Sequence, residues 1–239
     1  MINKHSIRDY DQIQQSGYLR IVSLHNPEGI IESTDTTYGH HFLMIDEFAK
    51  THQLKLQIQT VNNHHEMLEL IRKGKCDIAA YNFQITTNEE NDIRLTNPLT
   101  SSRFVLIQHR EEQNENNILT SVLNLAKETV YVTKGSYAAQ RLTHLAQEIG
   151  DTIYVKEVDH KEAYQLMKDV ADKKINLFVE EETLARCNAV ENENIDYSLP
   201  IGFTQQCGWA VHKDSPALLD SLNAWISQIN FNPLAPHIH

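Results

Sequence analysis

The chain has 239 residues, 41% of them hydrophobic and 22% charged, with a formal net charge of -11. That length buries a core sufficient for one large domain or two modest ones. So acidic a chain, with no Lys/Arg block, is a poor partner for nucleic acid or an anionic membrane surface, and no apolar run reaches the ~20 residues of a membrane helix.

The N-terminus, MINKHSIRDYDQIQQSG, is polar and has no apolar signal core, which fits either a cytoplasmic chain or one whose export signal is absent from this sequence. LRIVSL (19–24) is a short β-branched run suited to a buried parallel strand. A polar loop (25–39) follows, and then FLMIDEFAK places Phe42, Ile45, Phe48 and Ala49 at helical spacing. LKLQIQTV (54–61) alternates with period two. Asn62 or Asn63 can cap a helix, HHEMLELIRKG, that is expected to bury Met67, Leu70 and Ile71 and to stop at Gly74. CDIAAY (76–81) is the next strand, and its spill into the polar YNFQITTNEE predicts an exposed Tyr81 and Asn82. Strand-helix-strand-helix-strand is the order of a parallel sheet covered by helices.

The order then recurs. TVYV (129–132) leads through TKGS into the helix YAAQRLTHLAQEIG, TIYVKEV (152–158) into the helix HKEAYQLMKDVADKK, and INLFVEE (175–181) closes the set. One architectural unit is used twice, with the charged, aperiodic HREEQNENN (109–117) between the copies. The expected lobes are 17–106 with 207–239, and 107–206. In the last helix Asp214 or Ser215 is the cap, Pro216 suits the first turn, and Leu218, Leu222, Trp225, Ile226 and Ile229 share one face.

Ligands of open α/β sheets bind beyond the carboxyl ends of the strands. Three such ends are polar here: SLHNPEG with His25 and Asn26, YNFQITT with Tyr81, Asn82 and Thr86, and EEET with Glu181. TKGSYAAQ adds Gly135, Ser136 and Tyr137 at a helix start, where amides and a hydroxyl can receive an anionic or carbonyl group. Glu181 reads equally well as part of a helix first turn, and for its neighbours Glu180 and Glu182 that reading is preferred. Cys76, Cys187 and Cys207 show no CxxC spacing and read as small buried hydrophobes. The histidine pairs at 40–41 and 64–65 point to different faces, so neither is an i, i+4 zinc pair, and no metal site is expected. No HExxH, P-loop, GxSxG or GxGxxG is present, and no cofactor is expected.

GHHFLMIDEFAKTHQLKLQIQTV, followed by LELIRKGKCDIAAYNFQITTNEENDIRLTNPLTSSRFVLIQ, resembles the first lobe of the family 3 extracellular solute-binding proteins. TVYVTKGSYAAQRL, INLFVEEETLA and GWAVHKDSPALLDSLNAWI continue that likeness through residues ~17 to 230. Within the family, the wording is most similar to the solute-binding-like domain of membrane-bound lytic transglycosylase F, which is fused to a peptidoglycan-cleaving domain. The resemblance implies a type II periplasmic-binding-protein fold, with two α/β lobes joined by a two-strand hinge and a ligand cleft between them. It also implies a periplasmic or outer-membrane-associated location. Any lyase activity would lie in a separate domain absent from this chain, and partners would be a small polar or peptide-like ligand and a cell-wall or transport component, with the chain itself a monomer.

Carried over by position, Thr86 and Ser136 match the family's ligand-contacting hydroxyls, which the resemblance sets across a shared gap. Glu89 stands where amino-acid binders carry the arginine that forks onto a ligand carboxylate, and a carboxylate there can only accept. Glu181 takes the place of the aspartate that meets an α-amino group, and His41 that of an acidic residue at a helix start. These departures imply a cationic, amine-bearing, peptide-like or muropeptide ligand. Two readings stay open beside this one, a substrate-binding component of an amino-acid or polar-solute ABC transporter and a ligandless interaction domain.

Overall fold

The structure, a computed structural model, describes residues 7–32, 36–85, 91–111, 118–159, 161–189 and 194–229. These form two compact units, one of residues 1–61, 66–101 and 206–239 and the other of 62–65 and 102–205.

In the first unit the core sheet runs in the order β4 (Lys55–Val61), β1 (Tyr18–Leu24), β5 (Ile78–Gln84), β13 (Gln205–His212), β6 (Ile93–Leu95), with β7 (Thr100–Ser102) paired to β13. β4, β1 and β5 are parallel, whereas β13 runs antiparallel to β5 and β6. A small separate ribbon pairs β2 (Ile31–Glu32) with β3 (Thr37–Tyr38). The helices are α1 (Tyr10–Ser16), α2 (His40–Thr51), α3 (His64–Arg72) and α7 (Pro216–Gln228), the first turn of α3 grouping with the second unit. α2 turns Met44, Ile45, Phe48 and Ala49 inward, where Phe48 meets the edge of Trp225 and Trp209 stacks on Trp225. Complete burial of such side chains contributes about 1.5–3 kcal/mol each.

The second unit repeats the first. Its sheet order is β10 (Tyr154–Val158), β9 (Thr129–Thr133), β11 (Leu177–Glu181), β8 (Phe104–His109), β12 (Ile195–Pro200), again three parallel strands followed by an antiparallel one. α4 (Tyr137–Ile149), α5 (Ala163–Ala171) and α6 (Glu182–Ala189) accompany it. The expected doubling of one α/β unit is present, each copy having its second strand outside its first and its third inside. α3 buries Met67, Leu68 and Ile71, so Leu68 and not Leu70 completes its inner face.

One element had no apolar signature to announce it. α1 buries only Ile13 and is held by its ends, with Asp9 and Gln12 forming a capping box and Gly17 closing it at φ 73°. The Asp9 carboxylate also accepts the N–H groups of Ala217 (3.2 Å) and Leu218 (2.8 Å), so one side chain caps both α1 and α7. Below β1 and β5, the buried Asp77 carboxylate is gripped by the guanidinium groups of Arg8 and Arg20.

Candidate functional site

At the carboxyl end of β1 the loop of residues 25–30 is closed by its own backbone, Ile30 N–H donating to the Leu24 carbonyl at 2.9 Å. His25 is exposed, and its N–H extends the parallel pairing to the Val61 carbonyl. Asn26 turns its Oδ1 back onto the Gly29 N–H (2.7 Å), an Asx turn, and its Nδ2 donates to the Tyr81 hydroxyl (3.4 Å). The Pro27 and Glu28 carbonyls accept the His40 and His41 N–H groups at the start of α2, supplying the caps that Gly39 cannot.

Beneath this loop lies a buried polar chain that sequence reasoning missed. The Trp209 indole N–H donates to His41 Nδ1 at 2.9 Å. Indole is only a donor, so a neutral His41 carries its proton on Nε2, which donates to Asn82 Oδ1 at 3.1 Å. Burial holds the His41 pKa well below 6.5, with neighbouring His40 adding to the effect and the Asn82 bond opposing it. The Thr100 hydroxyl donates to the same Oδ1, and Asn82 Nδ2 reaches Glu28 Oε1 at 3.3 Å. Tyr81 and Asn82 are therefore buried, at 1% and 3% exposure, where the sequence predicted exposure. The reason is that β5 is a central strand and the polar ends of its last residues find partners inside the unit. Thr86 and Glu89 lie outside the described residues.

In the second unit, β9 leads into Gly135, which turns the chain at φ 73° and donates its N–H to Glu157 Oε1 at 3.2 Å. Ser136 is the N-cap of α4 by backbone position, yet its hydroxyl caps nothing. Ser136 Oγ and Thr133 Oγ1 are both buried without a hydrogen-bond partner among the described residues. Two hydroxyls beside a helix N-terminus make a receptive place for a carboxylate, phosphate or carbonyl oxygen. The next residue, Tyr137, packs its ring against that of His64, 4.8 Å between centroids. His64 Nε2 in turn stands 3.9 Å from Glu181 Oε1, while the Ser102 hydroxyl donates to Glu181 Oε2 at 3.0 Å. Burial lowers the His64 pKa to about 4.

Glu180 and Glu181 end β11 and are both buried, so the reading as a helix first turn fails for this pair; α6 begins one residue later, at Glu182, whose carboxylate pairs with Arg103. Glu180 Oε1 accepts the Glu181 N–H at 2.9 Å, and burial, then the charge of Glu181, pushes its pKa up to about 8. Tyr137, which follows Gly135 and Ser136, and Glu181 thus meet at His64, while Asn26 reaches Tyr81 in the first unit. Among the described residues no group of three or more His, Cys, Asp or Glu side chains could hold a metal ion, and no helix is long and apolar enough to cross a membrane.

The profile of the bacterial extracellular solute-binding proteins, family 3, matches residues 19–236. The chain belongs to that family. It is 24% identical over 226 residues to the membrane-bound lytic murein transglycosylase F of Stutzerimonas stutzeri (strain A1501), an alignment covering 94% of this chain and 46% of the relative. The protein of that name from Aeromonas hydrophila subsp. hydrophila is 26% identical over 204 residues, covering 85% and 40%. The chain spans about half the length of the curated relatives it matches. Among solved structures it is similar to the arginine-bound form of a truncated ArgBP from T. maritima, with TM-score 0.76, 17% identity, and 91% of this chain and 98% of that one covered. The solute receptor for L-cysteine of Neisseria gonorrhoeae gives TM-score 0.78 at 19% identity, with 92% and 87% covered. The resemblance read from the motifs is borne out, and the fold is that of the type II periplasmic binding proteins.

For this family 3 domain, the residues that sequence reasoning passed over are Glu28, Thr100, Trp209, Ser102 and His64. Only His64 carried a signal, as the residue after the Asn62-Asn63 cap at the end of a parallel strand, the place where ligand contacts gather.

Proposed function

We propose that the chain is a ligand-binding or sensing module of the extracellular solute-binding class, the non-catalytic part of a lytic-transglycosylase-like cell-wall protein. Its ligand is amine-bearing, peptide-like or a muropeptide, and it works outside the cytoplasm, in the periplasm or at the outer membrane. The observation that carries this reading is the second unit's pairing of opposite chemistries. The Ser136 and Thr133 hydroxyls at the start of α4 are ready to meet an oxygen, and the Glu181 carboxylate is ready to meet a nitrogen. Together they suit a ligand bearing both a carbonyl or carboxylate and an amine. The arginine named with one neighbour and the L-cysteine named with another are of that kind. Catalysis would fall to residues beyond those matched, since the relatives named as transglycosylases are about twice as long.

In the first unit the Asn82 amide is engaged by His41, Thr100 and Glu28, and His25 is exposed at the carboxyl end of β1. Isothermal titration of the whole chain against L-arginine, L-cysteine, short peptides and a tripeptide-bearing muropeptide tests the proposal. The expected result is saturable heat with at least one amine-bearing member, weakened about tenfold by Ser136→Ala. Silence across the panel, with no thermal shift, overturns it and favours the ligandless reading.

A further inference from the structure

The helix that begins at the Ser136 and Thr133 hydroxyls is tied to another part of the same unit by one side chain. We propose that Arg141 is a positioning residue, through which an oxygen bound at those hydroxyls is felt at residues 201–205, the last of the second unit before the chain returns to the first. The inference rests on the reading that the two hydroxyls meet a ligand oxygen.

The geometry carries it. From Ser136 to Arg141 the helix axis rises about 7.5 Å, at 1.5 Å per residue. Arg141 Nε donates to the Ile201 carbonyl at 2.8 Å. Its two terminal nitrogens fork onto the Glu148 carboxylate at 2.6 and 2.9 Å, which fixes the guanidinium to a later turn of α4. Ile201 is 1% exposed, and its own N–H donates to the Phe104 carbonyl at 2.8 Å. The next residue, Gly202, lies with its backbone against the guanidinium, so that an added Cβ would stand 2.8 Å from Arg141 Nε. Through one donor, α4 thus holds the residue at which the first residue of β8 and the 201–205 segment meet.

A bound oxygen that draws on the start of α4 must carry Arg141 with it, because a helix of 13 residues, closed at Gly150, responds as one rigid element. The Ile201 carbonyl then follows the guanidinium or loses a charged donor, and losing it leaves an acceptor of a buried residue short of its partner. Either way the 201–205 segment registers the event. That segment carries Phe203, 88% exposed, so the response reaches the surface.

The test is amide NMR of the whole chain titrated with sodium acetate, with sodium chloride at equal ionic strength as the reference. Acetate should move the Ser136 and Tyr137 N–H signals saturably and, with the same midpoint, those of Ile201 and Gly202. In Arg141→Met the first pair should still respond and the second should not, while the Ile201 N–H exchanges with solvent about tenfold faster. Arg141→Lys, which keeps a charged donor for the carbonyl, should recover part of the Ile201 response. Gly202→Ala displaces the guanidinium from the other side and should reproduce Arg141→Met, which guards against a variant that merely folds poorly. Shifts at Ser136 and Tyr137 that never reach Ile201, or that reach it equally in Arg141→Met, overturn the coupling and leave the reading of the α4 hydroxyls standing. No shift at Ser136 and Tyr137 would show instead that this underlying reading has failed, and the coupling with it.

Discussion

Replacing Glu180 with glutamine should change how stability depends on pH more than it changes stability itself. Glu180 is buried at the end of β11, and its pKa rises to about 8 from an ordinary 4.5. Between those values the folded chain holds a proton that the unfolded chain has released, so stability falls as pH rises through the window. At about 1.36 kcal/mol per pH unit the full loss at pH 8 is about 5 kcal/mol. His64 acts in the opposite sense. Its pKa falls to about 4 from 6.5, so the unfolded chain binds the extra proton and stability rises with pH up to about 6.5. His41, also held neutral by burial, adds to that rise. The opposing slopes leave a maximum near pH 6.5, above which Glu180 alone remains and stability drops by about 2 kcal/mol by pH 8. Glutamine keeps a carbonyl oxygen for the Glu181 N–H, now 2.9 Å from the carboxyl oxygen, and cannot ionise. Urea midpoints at pH 6.5 and 8 are the assay: the parent chain should lose ground between them and Glu180→Gln should not. Parallel midpoints for the two proteins would refute the reasoning.

Further substitutions probe both units. Asp9→Ala removes the cap of α1 and of α7 at once and should cost about 1–3 kcal/mol in urea unfolding, with Asp9→Asn recovering most of it. Gly39 sits at φ 139° with an ideal Cβ 2.2 Å from the Gly29 carbonyl oxygen, so Gly39→Ala should cost more than ~3 kcal/mol or prevent folding. Gly150→Ala, a left-handed helix end with nothing within 4 Å, should cost only about 1 kcal/mol. His41→Phe strands the Trp209 N–H inside the unit and removes one of the two donors to Asn82 Oδ1, and thermal melting should register a loss of about 1–3 kcal/mol with a shifted tryptophan emission.

The parts of the fold that were legible are those in which one physical requirement dominates a stretch of chain. β1, β5 and β11 read clearly because strands covered on both faces must be continuously apolar, and α4 and α7 because an amphipathic face recurs at helical spacing. The twofold use of one unit followed, since equal spacing of such elements is visible without knowing where any side chain points. α1 escaped because its stability comes from end groups, chiefly an Asp9 that also serves a helix more than 200 residues away, and no local window contains that partnership. The candidate site was half legible for the same reason. Gly135-Ser136 announces a turn into a helix by residue type alone. Whether a polar residue at a strand end meets solvent or its own interior depends on partners remote in sequence. Asn82 reads as a ligand contact until His41 and Thr100 occupy its oxygen, and Glu180 reads as part of a helix first turn until β11 carries it inside. His64 stands 3.9 Å from Glu181, 117 positions later, a separation that neither residue's neighbours could foretell. Polar groups whose partners come from distant strands are thus the least predictable parts of this chain, and chemistry between buried groups at a fixed distance depends on just such pairs.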